Sequence, residues 1–241
     1  MEYKRGAEAD EAEVAAYRSW RNKYAAEPER CSTYETLRVA PPGRRFASWL
    51  DGRMVLRALE GIRPGSAVLD VPCGGGRICR TLRRAGFAAV AADFSPHMVR
   101  ESRPDAAAWA RADALRLPFR DRTFAAAVCF RFMQAVPLAI RLAVLRELGR
   151  VAGRVLANYQ NVLSLRGTKR FLLGKSGLAN RVSEAQAVAE AESAGLRVTR
   201  CCYKSRFFCE DFLVVAELPP GEIPQYGPPP TSSLRDLLER P

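Results

Sequence analysis

Residues 69–76, Leu-Asp-Val-Pro-Cys-Gly-Gly-Gly, constrain the fold more than any other stretch, because an apolar run passes directly into a turn whose glycines leave the backbone bare. Ala67, Val68, Leu69 and Val71, bounded upstream by Pro64-Gly65, read as the first buried strand of a parallel sheet. Downstream, Ile78 and Leu82 recur at helical spacing among Arg77, Arg80, Arg83 and Arg84, which predicts a helix with one apolar and one solvated face. Strand, glycine turn and helix in that order open an α/β sheet. A turn of this kind, at the carboxyl end of the first strand, is where a nucleotide-like ligand binds.

Spacing narrows the ligand. The dinucleotide fingerprint requires a third glycine where Cys79 stands after Gly74 and Gly76, so a nicotinamide cofactor is disfavoured. A phosphate loop would close on Gly-Lys-Ser or Gly-Lys-Thr, and Gly76-Arg77-Ile78 does not supply it. A second apolar strand, 88–92, ends in Asp93, a carboxylate suited to accept from two ribose hydroxyls. Ser95 and Pro96 then supply a helix N-cap and first helical residue. A third strand, 107–112, ends in Asp113-Ala114, and a fourth spans 125–130, so successive strands end in polar residues along one rim. A glycine triplet alone is most often a plain turn; Asp93 and Asp113 at matching strand ends turn that reading toward a ligand site.

These segments resemble the class I methyltransferases that use S-adenosylmethionine, in the small-molecule group. Asp70-Val71-Pro72-Cys73-Gly74-Gly75-Gly76 is similar to the family's first motif, residues 92–98 to its second and 113–124 to its third. The resemblance covers residues 45–217. It implies a Rossmann-like, seven-stranded, mostly parallel sheet with helices on both faces and the last strand antiparallel. It implies a cofactor site of Asp70, Pro72, Cys73, Gly74, Gly76, Asp93, Phe94, Ser95, Met98, Asp113, Ala114, Phe130 and Arg131. In that implied site the glycine turn passes the methionine moiety, Asp93 holds the ribose, Phe94 and Met98 line the adenine slot, and Asp113-Ala114 flank the adenine amino group.

Two departures are visible. Pro72 stands where the family usually has glycine, which removes a backbone donor from the turn. Ala125 follows Phe124 where the family generally has Asp, so the start of the fourth strand has lost its carboxylate.

The acceptor side is less determined. Phe130-Arg131-Phe132-Met133-Gln134 follows the fourth strand, and Asn158, Tyr159 and Asn161 follow or end the fifth. Many relatives carry a histidine after the fourth strand; here Gln134-Ala135 stands in that neighbourhood. Tyr159 is the expected base if one is used. His97, the single histidine, reads as a surface residue at a capped helix start. Residues 159–182 hold Arg166, Lys169, Arg170, Lys175 and Arg181 with no acid, and Gly167, Gly174 and Gly177 keep the segment loop-like. Gln134, Arg166, Lys169 and Arg170 are therefore the expected substrate contacts, the segment forming an anion-recognising lid; the plainer alternative is a solvated connection.

Around this centre the expected organisation is a helical cap over 1–44, the cofactor-binding domain over 45–218 with its basic insertion at 159–182, and a Pro-rich tail over 219–241. Val14, Tyr17, Trp20 and Tyr24 place an amphipathic helix in the cap, over the pocket. Phe46 and Leu50 mark one face of a second helix, Ser183 starts a later one closed by Gly195, and 196–203 with 211–217 form a closing hairpin. Seven cysteines lack Cys-x-x-Cys spacing and histidine partners, so no metal framework is expected. No apolar run is long enough for a membrane span and no signal sequence is evident, which predicts a cytoplasmic protein.

The formal net charge of +12 is compatible with anionic substrates, lipid or RNA, and equally with an Arg-rich composition. The expected activity is methyl transfer to a small or lipid-linked, anionic acceptor, with O-methylation preferred over N or C. RNA is a less favoured substrate, since no separate RNA-binding module is evident. A silent regulatory module that binds S-adenosylmethionine and meets a protein partner through the tail is the alternative from another class.

Overall fold

The computed structural model describes residues 11–26, 42–162, 181–204 and 211–219. Two helices, α1 (Glu11–Ala26) and α2 (Pro42–Ala58), precede the first strand, β1 (Ala67–Asp70). The glycine turn leads to α3 (Arg77–Arg84), then β2 (Ala88–Asp93), α4 (Pro96–Ser102), β3 (Ala108–Arg111) and β4 (Phe124–Cys129). A short 3₁₀ turn, Met133–Ala135, precedes α5 (Leu138–Val151), followed by β5 (Ala152–Gln160), α6 (Glu184–Ser193), β6 (Arg197–Tyr203) and β7 (Asp211–Glu217).

The strands form one seven-stranded sheet in the order β3-β2-β1-β4-β5-β7-β6. β1 pairs in parallel with β2 and with β4, whereas β7 runs antiparallel to both β5 and β6. The expected Rossmann-like sheet with an antiparallel last strand is the observed one. Strand order reverses between β1 and β4, and a crevice opens at the carboxyl ends of strands at such a switch point.

The central strands are apolar on both faces because both faces are covered. Leu69, Val90, Phe124, Ala127 and Phe212 pack on one side against Leu145 and Leu148 of α5 and Ala187 of α6. Val68, Ala91, Val128, Leu156 and Leu213 pack on the other against Met54 and Val55 of α2 and Leu82 of α3. The local start signals also hold. Ser95 Oγ accepts from Met98 N ahead of Pro96, and Ser183 and Gln186 form a capping box at α6.

For helix α2 the sequence reading, Phe46 and Leu50 on one face, left open which side meets the sheet. Its inward face is Asp51, Met54, Val55 and Ala58, while Phe46 turns outward, 61% exposed. Phe46 and Trp49 stand outward while Met54 and Val55 are buried, so large apolar residues fall on both sides and periodicity alone did not mark which side faces the sheet.

Candidate active site

The chain leaves β1 through Val71-Pro72, a cis peptide, with Val71 N donating to Val128 O at 2.9 Å and Cys73 N to Ala92 O at 2.8 Å. Those bonds seat the glycine turn between β4 and β2. Gly74 adopts a φ of 51°, and a Cβ built there meets nothing within 4 Å, so bare backbone borders open space. Gly76 is required for another reason. Its φ is 81° and a Cβ would lie 2.8 Å from Ser102 Cα, so it allows α3 and α4 to approach.

Asp93 closes β2 and faces the same turn. Its Oδ2 accepts from Gly74 N at 3.0 Å and its Oδ1 from Ser95 N at 2.9 Å. Burial pushes its pKa up to about 6, against the pull of the backbone donors of Ser95, Gly74 and Phe94. Asp70 is fully buried beneath the turn, where its Oδ2 accepts from Cys79 N and Cys79 Sγ, both at 3.2 Å. Burial raises its pKa to about 7.

A cavity of about 290 Å³ lies over these strand ends, close to the lower bound of the roughly 300–1,000 Å³ common for small-molecule sites. Pro72, Gly74, Asp93, Phe94, Ala112 and Ala114 line one part of it, and Phe130, Arg131, Phe132, Gln134 and Ala135 another. Tyr17 and Arg21 of α1 complete the wall. Tyr17 packs edge-on against Phe132 at 6.2 Å, and burial pushes its hydroxyl up to about 12. The Arg21 guanidinium lies 3.9 Å from the centre of the Phe94 ring and pairs with Asp113. Asp113 also accepts from Leu115 N at 3.1 Å, which fixes the turn after β3.

At the other end, Arg131 sits just past β4 with a φ of 61°, its backbone N donating to Asn158 Oδ1 at 3.1 Å. Its Nη2 lies 3.3 Å from Asp51 Oδ2 and 3.9 Å from Asp211 Oδ2. Asp51 is also paired with Arg77, at 2.7 Å, and with Lys204. Lys204 lies 2.9 Å from Asp211 as well. Burial works to raise Asp211, but Lys204 and Arg131 beside it hold the carboxyl below its usual range. Arg131 Nε and Gln134 Oε1, both of cavity-lining residues, are buried without a hydrogen-bond partner.

Several expected site residues lie elsewhere. Met98 is fully buried in α4 and does not line the cavity; Cys73, Gly76, Ser95 and Asp113 support the turn, the helices and the strand ends. Tyr159 is the clearest correction. It is 1% exposed in the core, stacked on Phe212 at 5.9 Å, and its hydroxyl donates to Glu190 Oε2 at 3.1 Å. Glu190 is held in a two-bond pair by Arg141 Nε at 2.9 Å and Nη2 at 2.8 Å. Burial, then the Glu190 carboxylate, raise the Tyr159 pKa well above its ordinary value, which suits a structural donor and not a base. Arg166, Lys169 and Arg170 lie outside the described residues, although the ends of their segment meet where Asn161 bridges Val182.

The arrangement can be set beside known proteins. A magnesium protoporphyrin IX methyltransferase from Synechocystis PCC 6803, solved with bound SAH, superposes with a TM-score of 0.61 at 20% identity over 73% of this chain and 85% of that one. A TehB-like S-adenosylmethionine-dependent methyltransferase from Corynebacterium glutamicum superposes with a TM-score of 0.59 at 18% identity, covering 80% of this chain and all of the other. Residues 68–153 match the family model described as a methyltransferase domain, a stretch that runs from β1 to the start of β5. Residues 68–153 thus match a methyltransferase domain, and the sheet that carries them has the fold of those S-adenosylmethionine-dependent neighbours. The chain is also 38% identical over 107 residues to a demethylmenaquinone methyltransferase from Beutenbergia cavernae, which is 43% of this chain and 44% of that relative. The match thus spans less than half the length of that curated relative. Gly74, Asp93, Arg131 and Gln134 fall inside the stretch matched by the family model; Asp51, Lys204 and Asp211 fall outside it.

Sequence reasoning missed Arg21, Asp51, Lys204 and Asp211. Asp51 carried a usable signal, as the single acid of a helix with four arginines.

Proposed function

We propose that this methyltransferase moves a methyl group from S-adenosylmethionine to an oxygen of a small or lipid-linked, anionic acceptor in the cytoplasm. The observation that carries the reading is one cavity with two unlike ends: bare glycine backbone and the Asp93 carboxylate at one, Arg131 Nε and Gln134 Oε1 without partners at the other. The names of the demethylmenaquinone and magnesium protoporphyrin relatives support an organic acceptor of this kind.

The residues present fit the cofactor. Gly74 offers close backbone approach, and the Asp93 carboxylate has lone pairs beyond those used by Gly74 and Ser95 for a pair of ribose hydroxyls. Phe94, Ala112 and Ala114 give an apolar slot beside it for the adenine. Bound there, S-adenosylmethionine supplies a methyl group already activated by its sulfonium.

The chain's own work is then alignment, exclusion of water and charge control; alignment alone can supply roughly 7 to 11 kcal/mol of such a barrier. Arg131 stabilises an acceptor oxygen in its ionised form, and Gln134 accepts from a neighbouring donor on the same molecule. Tyr17 covers the cavity and donates a hydrogen bond, its raised pKa keeping it protonated. No base is needed for an acceptor that arrives ionised, and Asp93 is the only carboxylate lining the described cavity. The 1–44 segment serves as the cap, 45–218 as the catalytic domain and 219–241 as an appended tail.

The test is incubation with S-adenosylmethionine and a panel of quinols, phenols and carboxylic acids, read by mass spectrometry. Methylation of an oxygen acid with concurrent formation of S-adenosylhomocysteine supports the reading. Methylation confined to amines, or to RNA, contradicts it.

A further inference from the structure

Three large apolar side chains are exposed among the described residues, and two of them are neighbours on α2: Phe46, 61% exposed, and Trp49, 52% exposed. Their rings stack 5.7 Å apart with 24° between planes, and the Arg53 guanidinium lies 4.9 Å from the centre of the Trp49 ring. The helix carries four arginines, Arg44, Arg45, Arg53 and Arg57, against one acid. That acid, Asp51, points inward to Arg77, Arg131 and Lys204, so the outward face is aromatic and basic with no carboxylate of the helix on it.

The direction of α2 places this face. Asp51 meets residues at the carboxyl rim of the sheet, whereas Arg154, near the start of β5, donates to Ala58 O at 3.2 Å and Glu60 O at 2.8 Å. The helix therefore descends from the cavity rim to the opposite edge, and the residues before Asp51 overhang the side on which Arg131 opens. A stacked Phe–Trp pair beside guanidinium groups matches the water–bilayer interface, where aromatic rings settle at headgroup depth and arginines meet lipid phosphates.

We propose that the Phe46–Trp49 ridge of α2, with Arg45 and Arg53, docks the protein on an anionic lipid surface. The occupant is argued from charge: a chain of formal net charge +12 presents Arg45 and Arg53, with no acid of the same helix, beside the only stacked exposed aromatic pair among the described residues. This goes beyond the activity proposed above, since binding to lipid needs neither acceptor nor cofactor.

The experiment is flotation of the full chain with vesicles of phosphatidylcholine alone or mixed with phosphatidylglycerol, at low and raised salt. The wild type should float with the anionic vesicles, and less so as salt rises. Phe46→Ser with Trp49→Ser should lower the partition about tenfold, as should Arg45→Glu with Arg53→Glu, the two pairs testing insertion and charge separately. Affinity for S-adenosylhomocysteine, measured in parallel, should be the same in all variants. A wild type that does not float, or aromatic and arginine variants that float equally well, would overturn the proposal. So would a ridge that instead holds two copies together, seen as a dimer in sedimentation that the aromatic pair dissolves, or one that binds single-stranded RNA and not vesicles.

Discussion

Arg131 Nη2 lies 3.3 Å from Asp51 Oδ2, which ties a cavity-lining cation to a fully buried carboxylate of α2. Asp51 thereby sets where the Arg131 guanidinium points, while Arg77 and Lys204 share the same carboxylate. Arg131→Gln is expected to raise the acceptor KM and lower kcat, with affinity for S-adenosylhomocysteine unchanged. A matching loss of cofactor affinity would show that Arg131 serves the other end of the cavity.

Asp51→Asn removes the charge that three cations share. Of those cations Lys204 is buried while Arg77 and Arg131 are partly exposed; loss of one partner of a buried pair costs about 3–5 kcal/mol, so urea unfolding should show destabilisation up to that order. Substituting Asp121 provides a contrast. Its pair with Arg150 is exposed on the Asp side, and Asp121→Asn should change stability by less than about 1 kcal/mol.

Burial pushes Asp93 up to about 6 and Asp70 up to about 7, and this fixes the sign of two pH effects. Ribose hydroxyls donate to a carboxylate, so cofactor affinity should fall as pH drops through about 6. Folding responds in the opposite sense. The native state holds these protons more tightly than the unfolded chain, so the stability that protonation gives is full below about 4 and is lost as pH rises through 6 to 7. Asp70→Asn should flatten that part of the stability profile, as read by urea midpoints across the range.

Tyr159→Phe tests the correction made by the structure. The ring packing against Phe212 survives while the bond to the Glu190 carboxylate is lost, so the expected cost is about 1.5–3 kcal/mol of stability with turnover retained. A large fall in kcat with stability intact would restore Tyr159 to the reaction.

The sheet and the cavity end at the glycine turn were legible because local chemistry repeats there along the chain: an apolar run, a glycine turn, then a strand-end carboxylate and a Ser-Pro cap. Each signal lies within a few residues of the position it determines. The Arg131 end of the cavity joins residues far apart in sequence, as when Arg131 meets Asp51 and Asp211, and no local pattern links them. Tyr159 shows the same limit. At the end of β5 the sequence places it near the rim, but the side to which its hydroxyl turns depends on Glu190 and Arg141, which belong to two other elements. Which face of α2 meets the sheet was not legible, because Phe46 and Trp49 stand outward while Met54 and Val55 stand inward. The basic segment around Lys169 and Arg170 lies outside the described residues.

The central claim is that Asp93 and the glycine turn form the S-adenosylmethionine site, and titration calorimetry of S-adenosylhomocysteine against wild type and Asp93→Ala tests it most directly. Each charge-assisted bond lost is worth about 1.5–3 kcal/mol, so affinity should fall tenfold or more while the thermal transition still shows a folded protein. Equal affinity in the two proteins, or a wild type that binds a nicotinamide dinucleotide more tightly than S-adenosylhomocysteine, would contradict the account.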